Sequence, residues 1–328
     1  MNLPDSTATL IVPFASAEDE ACQTALAGLA LPHLEQITRR WHAGPVQGAD
    51  AYCLNTPHEQ ALAHVLGWDA RPDGTLPLAA WSAQRQSVGC AWFEPCHWTV
   101  GMEQVRLQPA DTLQVQAEES LALLAALQPW AEADGLQLIF ERPERWRAEG
   151  AALADLPWAS MDRVANRRLD GWLPDASQHP GMRPLLRLHN EAQMLFYTHP
   201  VNDRRSARGL APINGCWISA CGLLAPHERL GPAPDIDYRL RPAARAGHWR
   251  DWAQAWQGLE RDVLPVWLAR AASGVAVQII FCGERGWQAW HSQPQADSTA
   301  PPAAPAWWRR WWPAQPVPFN PAGILGPL

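Results

Sequence analysis

The chain has 328 residues, 47% of them hydrophobic and 18% charged, with a formal net charge of -7. This suffices for one large domain or two smaller ones with a sizeable core and excludes wholesale disorder. The acidic balance argues against a general electrostatic grip on nucleic acid or on an anionic membrane. All 26 basic residues are arginine. GC-rich codon usage accounts for this, and it excludes a Schiff-base lysine, a P-loop lysine and a lysine general base.

The seven cysteines (Cys22, Cys53, Cys90, Cys96, Cys216, Cys221 and Cys282) are scattered, with no CxxC and no paired Cys/His spacing. They read as buried thiols in a reducing, cytoplasmic setting, and neither a zinc site nor another cofactor is expected. Residues 1–10 lack the features of a signal peptide, and no run of about 18 apolar residues predicts a membrane span. Most of the 20 tryptophans are expected in core or rim packing.

In chain order, Ala8 to Phe14 reads as a buried strand, and Ser16 as the cap of a helix over Ala17 to Leu29. Asn55-Thr56-Pro57 reads as a helix start with Ala61, Leu62, Val65 and Leu66 on its apolar face. Cys90 to Phe93 is a short apolar run ending at Pro95, and Gln104 to Leu107 and Thr112 to Val115 read as strands. Ala117 to Ala133 is an amphipathic helix with Leu121, Leu124, Leu127 and Trp130 spaced for one buried face. Leu136 to Phe140 is a strand, Arg183 to Tyr197 a helix, and Asn202 to Arg208 a short helix stopped by Gly209. Ile213 to Ser219 is a strand ended by Gly222. His248 to Ala272 is a long helix that Pro265 should kink or split, and Val275 to Cys282 is a final strand.

The alternation predicts an α/β fold, a mixed sheet with flanking helices. Residues 1–291 form the globular part, divisible into lobes 1–90 and 91–291. Residues 292–306 read as a Pro/Ala-rich linker, and 307–328 as a Trp/Arg-rich tail whose indoles are expected to dock on their own domain, the alternative being contact with a membrane interface or a partner. The Asp-Gly pairs at Asp73, Asp134 and Asp170 read as turns.

The segment from Leu186 to Gly222 carries most of the functional information. Asn190, Glu191 and Gln193 place polar groups inside an apolar helix, with Asn190 on the face of Leu186 and Met194. A polar group on a packed face needs a partner or costs on the order of 1–3 kcal/mol. Asn202 stands where it can cap the next helix, with Arg204, Arg205 and Arg208 following. Helix-start amides beside arginines suit a phosphate or carboxylate. The alternative is a plain cap with arginines paired to Asp203 on a solvated face. Asn214 is placed to face the same pocket.

His199-Pro200-Val201-Asn202, with Arg205, Gly209-Leu210, Pro212, Asn214 and the strand to Gly222, resembles the signature of the archaeal-type, 2,3-bisphosphoglycerate-independent phosphoglycerate mutases. A closer resemblance is to the proteobacterial RpfE-type regulatory family. That family shares Asn190-Glu191-Gln193-Met194, the Trp92–Pro95–His97 stretch and a segment like Arg142 to Trp146. The resemblance covers about Trp92 to Gly222. It implies a reduced alkaline-phosphatase-like core and a ligand site at Asn190, Glu191, Gln193, His199, Asn202, Arg205, Arg208, Asn214 and His97. It also implies a regulatory role, with a phosphorylated or anionic metabolite or a protein partner.

The chain departs from the enzymes of that superfamily. Their paired metals need Asp and His clusters, yet Pro13-Phe14-Ala15-Ser16 after the first strand holds no aspartate. After Gly222 only His227, His248 and His291 remain, with no Asp-His pair. GxSxG, HExxH, Walker A and GxGxxG are also absent. His97 and Cys96 are neighbours on a strand and so point to opposite faces, and Glu94 stands where the family more usually has Asp. The reading is a non-catalytic regulatory or ligand-sensing protein that binds no metal. The alternatives are a metal-dependent phosphotransfer enzyme and a structural or interaction protein whose signature is architectural.

Overall fold

The computed structural model describes residues 7–48, 50–101, 105–169, 171–177, 179–226, 228, 233–292 and 319–328. Among them, no helix is long and apolar enough to cross a membrane. The chain opens with β1 (Ala8–Val12), α1 (Glu20–Ala27), α2 (Pro32–Arg40), β2 (His42–Ala43) and β3 (Gln47–Gly48). There follow α3 (Pro57–Leu66), α4 (Leu78–Ser82), β4 (Gly89–Val100), β5 (Val105–Pro109), α5 (Ala117–Ala133), β6 (Gln137–Arg142) and β7 (Arg145–Glu149). Next come α6 (Met161–Val164), α7 (Arg183–Tyr197), α8 (Pro200–Ala207) and β8 (Gly215–Leu223). The last elements are β9 (Asp235–Ile236), α9 (Arg241–Ala246), α10 (Trp249–Asp262), α11 (Leu264–Ala272), β10 (Val277–Cys282), β11 (Gly286–His291) and α12 (Pro321–Leu325).

The fold is α/β and falls into two compact units. One combines Met1–Ala51 with Ala233–Leu328, and the other is Tyr52–Pro232. A division at residue 90 falls inside β4, because the two ends of the chain build one unit together and the middle builds the other.

The first unit holds a sheet in the order β2-β11-β10-β1-β9, with β3 also on β11. β1 lies parallel to both β10 and β9, while β11 is antiparallel to its neighbours. A strand covered on both faces is apolar along its length, and Leu10, Ile11 and Val12 are all buried. At its carboxyl end, the Phe14 and Ala15 carbonyls accept from the indoles of Trp252 (2.9 Å) and Trp256 (3.2 Å). The first helix starts later than expected. Its cap is Asp19, which accepts from the Ala21 and Cys22 amides, and Ser16 stays outside it. The long C-terminal helix is split at Val263 into α10 and α11, because Pro265 cannot donate into the preceding turn. The tryptophans of 307–312 and nearly all of the linker lie outside the described residues. Of the last ten residues, Leu325 and Leu328 are buried in this unit's core.

The second unit is built on an antiparallel sheet around the long strand β4. It pairs with β8 on one side and with β5 and β7 on the other, and β6 extends from β7. Phe93, Trp146, Leu123, Leu127 and Phe196 lie in its core. Three expectations fail here. Thr112 to Val115 is no strand; a short 3-10 turn at Ala110–Thr112 leads towards α5 instead. The buried stripe of α5 is Leu123, Leu127 and Ala131, whereas Leu121 and Trp130 are largely exposed. Leu127 belongs to both spacings, and the apolar surplus of this helix leaves the choice to tertiary packing. Gly222 lies within β8 rather than ending it, and a Cβ there would collide with Pro77.

Candidate functional site

The helix carrying Asn190 has the expected bounds but turns a different face inward. Leu185, Leu188, His189, Ala192 and Phe196 are buried. Asn190 is exposed, Glu191 and Gln193 are half-buried, and Met194 and Tyr197 stand in solvent at 73% and 79% exposure. The polar group on the packed face is therefore His189, one residue earlier than expected. Burial pulls its imidazole down to about 4, against a hydrogen bond with the Asn190 side chain.

The signature residues meet in α8 and the loop after it. His199, not Asn202, caps this helix: its Nδ1 accepts from the Val201 amide at 3.3 Å. Burial, and then the Arg204 charge, lower its pKa. Asn202 is buried and used completely. It donates to the carbonyls of Phe196 (2.6 Å) and Ile213 (2.8 Å) and accepts from the Ile213 amide (2.8 Å). Asn214 does the same for β4, accepting from the Trp98 amide at 2.6 Å and donating to its carbonyl at 3.0 Å. Asn214→Ala strips two backbone partners at once and should cost about 1–3 kcal/mol in a urea melt. A loss below about 0.5 kcal/mol would show that water replaces the amide.

Arg205 is fully buried, so it is closed to a ligand. Its guanidinium donates to Glu119 (2.6 Å), to the Leu113 carbonyl (2.6 Å) and to the Ala211 carbonyl (2.8 Å). Arg208, 54% exposed, reaches the other oxygen of Glu119 at 3.2 Å. One buried carboxylate thus faces two guanidinium groups. Arg204, one turn before Arg208, is exposed. His97 lies half-buried on β4 with its Nδ1 buried and unpartnered. Burial depresses its pKa, against a hydrogen bond with the Pro212 backbone and with the Arg205 charge adding to the effect.

The structure also joins residues that the sequence left apart. Arg145 stacks on Trp92, with the guanidinium carbon 3.7 Å from the ring centroid, and pairs with Glu94 at 2.9 Å. Ser219 donates to the second Glu94 oxygen at 3.0 Å. Glu94 therefore serves as a buried brace between β4, β7 and β8.

A second buried network surrounds the start of α3. Thr56 and Glu59 form a capping box, and Asn55 donates to Glu59 and accepts from the Gly74 amide. Asp73 accepts from the Leu54 and Asn55 amides, and Arg163 donates to the Asn55 carbonyl. His58 stands 3.5 Å from Asp162. Desolvation raises the Glu59 pKa and lowers that of Arg163. Only the cap itself was visible in the sequence, since Asp162 and Arg163 come from α6, far along the chain.

The loop before α6 supplies Trp158, which joins Trp98, Trp217 and His189 in a ring cluster. The Trp98–His189 and Trp158–Trp217 centroids lie 5.1 and 6.0 Å apart. His189 should make stability pH-dependent. Unfolded, it protonates near about 6.5; folded, it resists protonation down to about 4. Its contribution is complete above about pH 6.5 and is lost as pH falls towards 4, on the order of 3 kcal/mol in all. Urea midpoints at pH 4.5 and 7.5 should differ less in His189→Leu than in the wild-type chain; an equal difference would assign the acid sensitivity elsewhere.

Among the described residues, no group of three or more His, Cys, Asp or Glu side chains is placed to hold a metal ion. No known protein family matches the chain, and no curated protein does. Similar solved structures include a cofactor-independent phosphoglycerate mutase from Thermoplasma acidophilum. It is 13% identical, over 87% of this chain and 89% of that one, with a TM-score of 0.34. A Pyrococcus horikoshii protein is 12% identical, over 88% of each chain, with a TM-score of 0.48.

Proposed function

We propose that this chain is a non-catalytic regulatory protein of the RpfE type, acting in the cytoplasm. It senses a small phosphorylated or carboxylate anion on the outward face of α8. The observation that carries the reading is the charge balance there. Against two carboxylates, the buried Glu119 and the exposed Asp203, stand three guanidinium groups, the buried Arg205 and the exposed Arg204 and Arg208, so one net positive charge remains at this exposed helix face. Bidentate guanidinium donors suit such anions. Asn202, Arg205 and Asn214 act one step back, holding α8 and the following loop in place.

The test is a thermal-shift titration with inorganic phosphate and 3-phosphoglycerate, each with and without manganese. Ligand at about 100 times its dissociation constant stabilises by about 2.7 kcal/mol. The expected result is a shift without manganese that disappears in Arg204→Ala/Arg208→Ala. A shift that requires manganese, with mutase turnover, would replace this reading with the phosphotransfer one. No shift with either anion would leave the signature an architectural frame.

A further inference from the structure

The two carboxylate oxygens of Glu119 have different partners. Its Oε2 accepts from the Gln116 amide at 3.1 Å, which closes the capping box at the start of α5. The same oxygen accepts from the buried Arg205 at 2.6 Å. Its Oε1 pairs with Arg208 at 3.2 Å. The first oxygen is held inside the unit, and the second lies against a guanidinium that is largely in solvent.

The two contacts differ in strength. Charge-assisted bonds between nitrogen and carboxylate oxygen usually measure about 2.7–2.9 Å, so the Arg208 contact is long. Solvent and salt screen a pair with an exposed partner. Arg208 can therefore leave Glu119 while Arg205 stays in place. An anion that takes Arg208 has to take it from Glu119, because carboxylates and phosphates are acceptors for the same guanidinium edge. Two negative groups at one guanidinium also repel each other. The carboxylate thus holds, from inside the fold, a place that the anion needs.

We propose that Glu119 regulates the anion site on α8: it competes with the anion for Arg208, and the loss of that pair carries the bound state to the first turn of α5. This rests on the reading of α8 as an anion site and adds to it an internal competitor and an output. Once the anion holds Arg208, the remaining partners of Glu119 are Arg205 and the Gln116 amide, both on Oε2. The carboxylate is then free to turn towards Arg205, and the Gln116 amide, bonded to it, changes its environment. The signal needs no movement of the core, since Arg205 keeps its bonds to the Leu113 and Ala211 carbonyls throughout.

The test is a titration of the full chain, labelled with nitrogen-15, with inorganic phosphate at pH 7.5. The amide and arginine Nε–H resonances are followed. The Gln116 and Glu119 amides should shift with the same midpoint as the Arg208 Nε–H. Glu119→Gln keeps an acceptor oxygen for Gln116 and Arg205 but loses the charge. It should lower the phosphate midpoint about fivefold, the worth of an exposed pair. In an Arg208→Ala background the same substitution should bring no gain. Shifts at Arg204 and Arg208 with silent Gln116 and Glu119 amides, or a midpoint that Glu119→Gln leaves unchanged, would overturn the regulation and leave the anion site standing. No shift at either arginine would remove the anion site and its regulation together. If Glu119→Gln does not fold, the wild-type titration decides alone.

Discussion

Arg205→Ala should destabilise the second unit by about 3–5 kcal/mol, the range seen when one member of a buried ion pair is removed. The loss has three sources. Glu119 keeps only the largely exposed Arg208 as a charged partner, and the carbonyls of Leu113 and Ala211 lose their donor. A cavity also remains where the guanidinium was. Arg208→Ala should cost less than about 1 kcal/mol, because its side chain is 54% exposed and solvent screens its pair. Urea melts of the two variants separate these roles. The double variant Arg205→Met/Glu119→Leu, which removes the charges together, should recover much of the loss. A cost below 1 kcal/mol for Arg205→Ala would mean that water enters and takes over its partners. It would also return Arg205 to the ligand-binding residues.

Deleting residues 319–328 should destabilise the first unit by about 3–6 kcal/mol, at roughly 1.5–3 kcal/mol for each fully buried leucine. Leu325 and Leu328 both belong to the core that contains Val12, Trp256 and Phe281. The deletion also frees the Arg285 and Gly286 amides from their acceptor. Near-ultraviolet circular dichroism should report the change directly, since Trp252, Trp256, Phe281 and Trp290 form one chain of ring contacts there. An unchanged aromatic spectrum and melting midpoint would show that the segment rests on the core without supporting it.

How far these features were legible in the sequence depends on the distance over which each is decided. Helix α7 has the bounds read from its periodicity, because local pattern fixes a helix of that length. Its inward face was misjudged by one residue: Leu185, Leu186 and Leu188 allow more than one stripe, and packing chose the one with His189. In α8, Val201 is the only branched aliphatic side chain. One turn on from it lies Arg205, which the helical repeat therefore turns inward. That clue was available, but arginine is so rarely buried unpaired that the spacing alone did not outweigh the expectation of solvent. The partner that makes burial tolerable, Glu119, sits 86 residues earlier in the chain. Within α5 it is one of two acidic first-turn residues, with nothing local to set it apart. The same holds for Glu94 with Arg145 and for Asn55 with Arg163. Each half was visible, and the pairing was not, because nothing local encodes it.

The placement of β1 has a consequence for how the protein is made. β1 pairs with β10 from Ala8 against Val277 to Val12 against Phe281. A ribosome adding about 5–20 residues per second needs on the order of tens of seconds to deliver that partner. Until β9 and then β10 are made, this apolar strand lacks its partners on both edges, while the continuous stretch Tyr52–Pro232 can close first. Such a nascent strand is what holdase chaperones bind. Codon changes that slow translation between residues 233 and 276 should therefore lower the soluble yield without altering the folded product.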